Sequence, residues 1–135
     1  MTALHVNQIP KFQDPLITAD GNVRAHVKLR KLNTVWFNTG TTCNLTCKTC
    51  YIESSPKNDR LSYITSKEVE PYLKEIIDNN FGTTEIGFTG GEPFMNPYFL
   101  NILLRCLELG FNILILTNAM KPMMKVQEEL TKIIK

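Results

Sequence analysis

Three of the chain's four cysteines fall within eight positions, Cys43, Cys47 and Cys50, inside TTCNLTCKTCY at 41–51. Steps of four and three let a short wrapped loop aim three thiolates at one centre, and soft thiolates favour zinc, copper(I) or iron–sulfur clusters. Structural zinc takes four protein ligands. The two histidines, His5 and His26, are remote in sequence, and Cys106 falls in the apolar register of a later helical pattern, where it reads as core packing. Three thiolates on a cubane of four irons leave one iron for a ligand that is not protein. Two plainer patterns share the spacing. A buried helical stripe also recurs at i, i+4, i+7, but Asn44, Thr46, Lys48 and Thr49 make a poor helix. Cys47-x2-Cys50 is also the spacing of a redox dithiol, which leaves Cys43 without a role.

Two other short segments could complete a site. Gly90-Gly91-Glu92-Pro93 offers two residues without side chains, so that a ligand can approach the backbone, and then a carboxylate suited to an ammonium group. Its plain alternative is a tight turn with a solvated glutamate. Thr117-Asn118 could give hydroxyl and amide hydrogen bonds to a ribose or carboxylate, or form an ordinary turn. Tyr51 either shields the cysteine loop or packs, and Met120, Met123 and Met124 read as adaptable packing.

These segments need elements to bring them together. TVWFN at 34–38 is a β-branched and aromatic run that reads as a strand leading into the cysteine loop. Thr65 and Glu68 have capping-box spacing and open an amphipathic helix of about four turns, with a later start or a kink at Pro71. TEIGF at 84–88 is a second strand, ending at GGEP. Asn96-Pro97 opens a second helix that Gly110 ends. FNILILT at 111–117 has the continuous apolar character of a strand buried on both faces, and a third helix starts near Pro122. Strand and helix alternate three times, which predicts an α/β fold with a parallel sheet. The segments after its strands then share the carboxyl edge, where such folds place their sites. Residues 1–33 form a lead-in, interrupted by Pro10 and Pro15, with a hairpin turn at Asp20-Gly21.

A chain of 135 residues, 43% apolar, suits one domain with its own core. Its formal charge of +2, with basic residues scattered, gives no footprint for nucleic acid. The opening MTALHVNQIPKFQDP has no signal pattern, and no apolar run nears the ~20 residues that cross a membrane. The expectation is a cytoplasmic protein, where clustered cysteines serve as metal ligands or catalytic thiols more often than as disulfides.

Cys43-x3-Cys47-x2-Cys50 after a first strand, GGEP after a second and Thr117-Asn118 after a third together resemble the radical S-adenosylmethionine superfamily over about residues 34–120. That resemblance implies half of a partial (β/α)6 TIM-like barrel in residues 34–135, as the truncated N-terminal part of a core domain. It implies that Cys43, Cys47 and Cys50 hold a 4Fe-4S cluster whose unique iron chelates the amino and carboxylate groups of S-adenosylmethionine. Gly90, Gly91, Glu92 and Pro93 match the motif that holds the methionine ammonium, and Thr117 and Asn118 lie where the family often adds cofactor contacts. One electron, from a donor such as flavodoxin or ferredoxin, would cleave the sulfonium to give methionine and a 5′-deoxyadenosyl radical. Thr49 stands where the family often has an aromatic. Three strand–helix units make half of such a core, so a second chain could supply the rest. The competing expectations are a catalytically incomplete cluster-binding fragment and a small zinc or dithiol module.

Overall fold

The computed structural model describes residues 13–134. Pro10 and His5, in the lead-in, lie outside the described residues. The chain divides into two units, Met1–Arg30 and Lys31–Lys135. In the first, the hairpin turn forms where Asp20-Gly21 predicts it. Ile17 and Val23 make an antiparallel bridge, Gly21 takes φ 77°, and its N–H donates to the Thr18 carbonyl at 2.9 Å.

The second unit holds a sheet of three parallel strands, β1 (Thr34–Asn38), β2 (Glu85–Thr89) and β3 (Asn112–Ile115), in that order. Alternation sorts the side chains. Val35, Phe37, Ile86 and Phe88 face a core shared with α1 (Ser66–Asp78) and α2 (Phe99–Glu108), which supply Val69, Leu73, Ile76, Phe99, Ile102 and Cys106. Burial pushes the Cys106 thiol up to about 12, so it is an inert packing group, as its register predicts. On the other face the Trp36 indole lies across Gly87, leaving no room there for a Cβ.

The capping box at Thr65 and Glu68 forms as the spacing predicts, and it starts α1 at Ser66, ahead of Pro71 rather than after it. Only one turn precedes the proline, and the reciprocal cap holds that turn in place. Helices α1 and α2 are joined at their surface by a bidentate pair, Arg105 Nε to Glu70 Oε2 at 3.0 Å and Nη2 to Oε1 at 2.8 Å. This hydrogen bond holds the Glu70 carboxyl below its ordinary 4.5. Because the folded value is depressed, the pair's small contribution is present above the ordinary value and is lost as pH falls through the depressed one. Denaturation midpoints of the native protein and of Glu70→Gln are therefore expected to differ near neutrality and to converge on acidification.

Two expectations are corrected. β3 is not buried on both faces: Ile113 and Ile115 pack against the core, while Leu114 and Leu116 are 40% and 54% exposed. The helices cover one face only, and β3 is one of the two edges of this sheet. The third helix is two short ones, α3 (Lys121–Lys125) and α4 (Gln127–Ile133), parted at Val126. Neither buries a residue, so packing does not enforce a single rod, and Met120 and Met124 are exposed rather than packed. Among the described residues no helix is long and apolar enough to cross a membrane.

Candidate cofactor site at the carboxyl edge

The loop after β1, the glycine pair after β2 and Thr117-Asn118 after β3 do meet at the carboxyl edge. Glu92 is the junction. It is 1% exposed, and its carboxylate accepts the Phe94 N–H at 3.1 Å, the Thr117 hydroxyl at 2.8 Å and the Asn118 N–H at 2.9 Å. The carboxylate therefore ties the end of β2 to the end of β3, and most of its accepting capacity is used within the protein. Asn118 carries the link onward: its amide nitrogen donates to Asn44 Oδ1 at 3.0 Å and lies 3.7 Å from Cys43 Sγ. The solvated glutamate is thus excluded, and Thr117 and Asn118 are more than an ordinary turn.

The glycines have a reason other than ligand approach. Gly91 N–H donates to the Gly40 carbonyl at 2.7 Å and Glu92 N–H to the Thr42 carbonyl at 3.0 Å, so two loop backbones lie in direct contact. A Cβ at Gly90, where φ is +138°, would stand 2.6 Å from the Gly40 carbonyl, and one at Gly91 would strike the Thr42 carbonyl. Among the described residues the carbonyls of Gly90 and Gly91 accept no hydrogen bond. Unused backbone acceptors beside a buried carboxylate can receive an ammonium group. Gly91→Ala is expected to force the loops apart at a cost of about 1–3 kcal/mol or more, seen as a lowered thermal midpoint.

The cysteines lie along a loop that is not helical, which removes the buried-stripe alternative. Cys43 is buried, Cys50 half-buried and Cys47 exposed. Backbone donors aim at two of the sulfurs, Leu45 N–H at Cys43 Sγ (3.4 Å) and Ser54 N–H at Cys50 Sγ (3.3 Å). The Cys50 thiol is held below its ordinary value, first by the Ser54 N–H and then by the Ile52 N–H. Such donors favour a thiolate, the ligating form. The Ser54 hydroxyl makes no hydrogen bond, yet it is among the groups that lower the Cys50 value. Among the described residues no three His, Cys, Asp or Glu side chains are gathered as a single metal ion requires. The structure thus joins Cys43 to Glu92, Thr117 and Asn118, and leaves Cys47 and Cys50 further along the loop. Tyr51 is 74% exposed and packs on nothing that would bury it.

Sequence reasoning missed the residues that hold this loop. Thr41 is fully buried; its Oγ1 accepts the Leu61 N–H at 3.0 Å and donates to the Asn58 carbonyl at 3.1 Å. Asn96 does not open α2, which starts at Phe99; it is buried, and its amide bridges the Thr39 and Ile64 carbonyls at 3.1 and 2.8 Å. The available signal was a run of small polar residues, 38–42, directly after a buried strand, where unpaired polar groups are costly and need partners.

A parallel α/β sheet here gathers a cysteine-bearing loop, two close-packed glycines and a buried glutamate at its carboxyl edge, where such folds place their ligand sites. The chain belongs to the radical SAM superfamily, whose family model matches residues 37–135. It is 36% identical over 76 residues to the antilisterial bacteriocin subtilosin biosynthesis protein AlbA of Bacillus subtilis (strain 168), covering 56% of this chain and 16% of that protein. It is also similar in structure to Streptococcus suis SuiB bound to S-adenosylmethionine, with TM-score 0.60 and 28% identity, over 76% of this chain and 23% of SuiB. SuiB bound to its precursor peptide SuiA matches with TM-score 0.56 and 27% identity, over 71% of this chain and 21% of that one. The chain thus spans less than a quarter of the length of these relatives. The family's cofactors are a 4Fe-4S cluster and S-adenosylmethionine, and this chain's donor set fits them: soft thiolates, N–H groups aimed at sulfur, and free carbonyls for an ammonium.

Proposed function

We propose that this chain is the cluster-binding and S-adenosylmethionine-binding part of a radical enzyme that modifies a peptide. Cys43, Cys47 and Cys50 would hold the 4Fe-4S cluster through thiolates, and its fourth iron would be open to the amino and carboxylate groups of S-adenosylmethionine. When bound, the cluster would supply one electron, drawn from a donor such as flavodoxin or ferredoxin, for reductive cleavage of S-adenosylmethionine to methionine and a 5′-deoxyadenosyl radical.

The protein's own groups position the reactants. The free carbonyls of Gly90 and Gly91 accept from the methionyl ammonium, and the buried Glu92 charge nearby favours that cation. Pro93 begins the 3-10 turn, Pro93–Met95, that carries Phe94 N–H back onto the carboxylate. Thr117 and Asn118 keep the cysteine loop and the glycine pair in register. The peptide substrate is suggested by SuiB, which binds a precursor peptide, and by AlbA, a bacteriocin biosynthesis protein. Further strands, in the same or a second chain, would pair with the open edge of β3 and complete the substrate cavity.

The observation that carries this proposal is the chain of contacts from Glu92 through Asn118 to Asn44 and Cys43, which fixes the thiolate loop against the unused carbonyls. Anaerobic reconstitution with iron and sulfide tests it: about four irons per chain are expected. Uptake of about one zinc per chain and no iron would instead support a zinc module.

A further inference from the structure

Ser54 is 4% exposed, and among the described residues its hydroxyl is the one buried side-chain polar atom with no hydrogen-bond partner. Buried hydroxyls are nearly always paired, so an orphan calls for an acceptor that becomes strong enough only in another state of the protein. Its position is fixed from both sides. Before it, Glu53 adopts φ 54°, a left-handed conformation rare for a residue with a Cβ, and the turn it makes points Ser54 N–H at Cys50 Sγ, 3.3 Å away. After it, Ser55 is bridged to Thr42, and its carbonyl accepts the Cys43 N–H at 3.1 Å. Ser54 is thus pinned beside Cys50 with an unused donor. A thiol sulfur is a weak acceptor, whereas an iron-bound thiolate carries negative charge and accepts more strongly.

We propose that the Ser54 hydroxyl donates to the Cys50 sulfur once that sulfur ligates the cluster, and so raises the cluster's reduction potential. Donors to cluster sulfurs stabilise the reduced form, which carries one more negative charge. The inference rests on the cluster-binding function above. Ser54 acts through Cys50 and is therefore a positioning residue for the electron-transfer step.

The test is a redox titration, followed by electron paramagnetic resonance, of the reconstituted full chain and its Ser54→Ala and Ser54→Thr variants. The alanine variant is expected to have a more negative midpoint, so that at the native midpoint its ratio of reduced to oxidised cluster falls about threefold to tenfold, a tenfold change being about 59 mV for one electron. Threonine, which keeps the hydroxyl, should move the midpoint back towards the native one. An alanine variant that loses the cluster while threonine keeps it supports the same hydrogen bond. An unchanged midpoint in alanine, or loss of the cluster in both variants, overturns the proposal, the latter by pointing to packing alone. Failure of the native chain to take up iron is a different result, read from metal content before any potential, and it removes the cluster assignment itself.

Discussion

Cys47→Ala is expected to abolish cluster binding while leaving the fold's stability within about 0.5 kcal/mol of the native value, because substitutions at exposed positions away from packing cost little. Cys47 is exposed, so its truncation leaves no cavity. Cys106→Ala is the mirror image. Its thiol is fully buried between α1, α2 and the sheet, so truncation should cost about 1–2 kcal/mol while iron content stays at the native level. The two variants separate ligand from packing cysteine by opposite readouts, iron per chain and denaturation midpoint. A Cys47→Ala protein that retained its full iron would remove the loop from the site.

Glu92→Ala is expected to destabilise the protein by about 3–5 kcal/mol, read as a shift of the denaturant midpoint at constant slope. Three donors converge on that carboxylate in a place almost closed to solvent: Phe94 N–H, the Thr117 hydroxyl and Asn118 N–H. Each belongs to a half-buried residue and would lose its acceptor, at up to about 1–3 kcal/mol, and water entering the space would recover part of the loss. Glu92→Gln keeps one oxygen but turns an amide donor towards other donors, so it should fall between the two. The same variants should weaken cluster retention, since Asn118 links this carboxylate to Asn44 and Cys43. A Glu92→Ala protein as stable as the native one would show that the brace contributes nothing.

The elements and their meeting point were more legible in the sequence than the contacts between them. The strands were legible because TVWFN and TEIGF are β-branched and aromatic runs, and the cap of α1 because Thr65 and Glu68 act locally. The meeting of three post-strand segments followed from parallel topology alone. What the Glu92 side chain touches did not: its partners lie 25 and 26 residues away in sequence, and periodicity carries no such information. The glycine pair was read as room for a ligand, whereas much of that room is taken by the Gly40–Thr42 backbone. FNILILT misled because an apolar run shows affinity for burial, while burial itself depends on which faces the helices cover. The tail misled for a related reason, since Val126, Leu130 and Ile133 become only half-buried in this unit, too little packing to hold one continuous helix.

The proposed site has three cysteines holding a cluster with one iron open to S-adenosylmethionine. The electron paramagnetic resonance spectrum of the reduced, reconstituted chain, recorded before and after adding S-adenosylmethionine, tests it most directly. A new iron ligand changes the electronic surroundings of the cluster, so the signal is expected to shift on addition, and to stay unshifted with a methionine analogue that lacks the amino and carboxylate groups. A cluster signal indifferent to S-adenosylmethionine would show that no iron of the cluster is open to it.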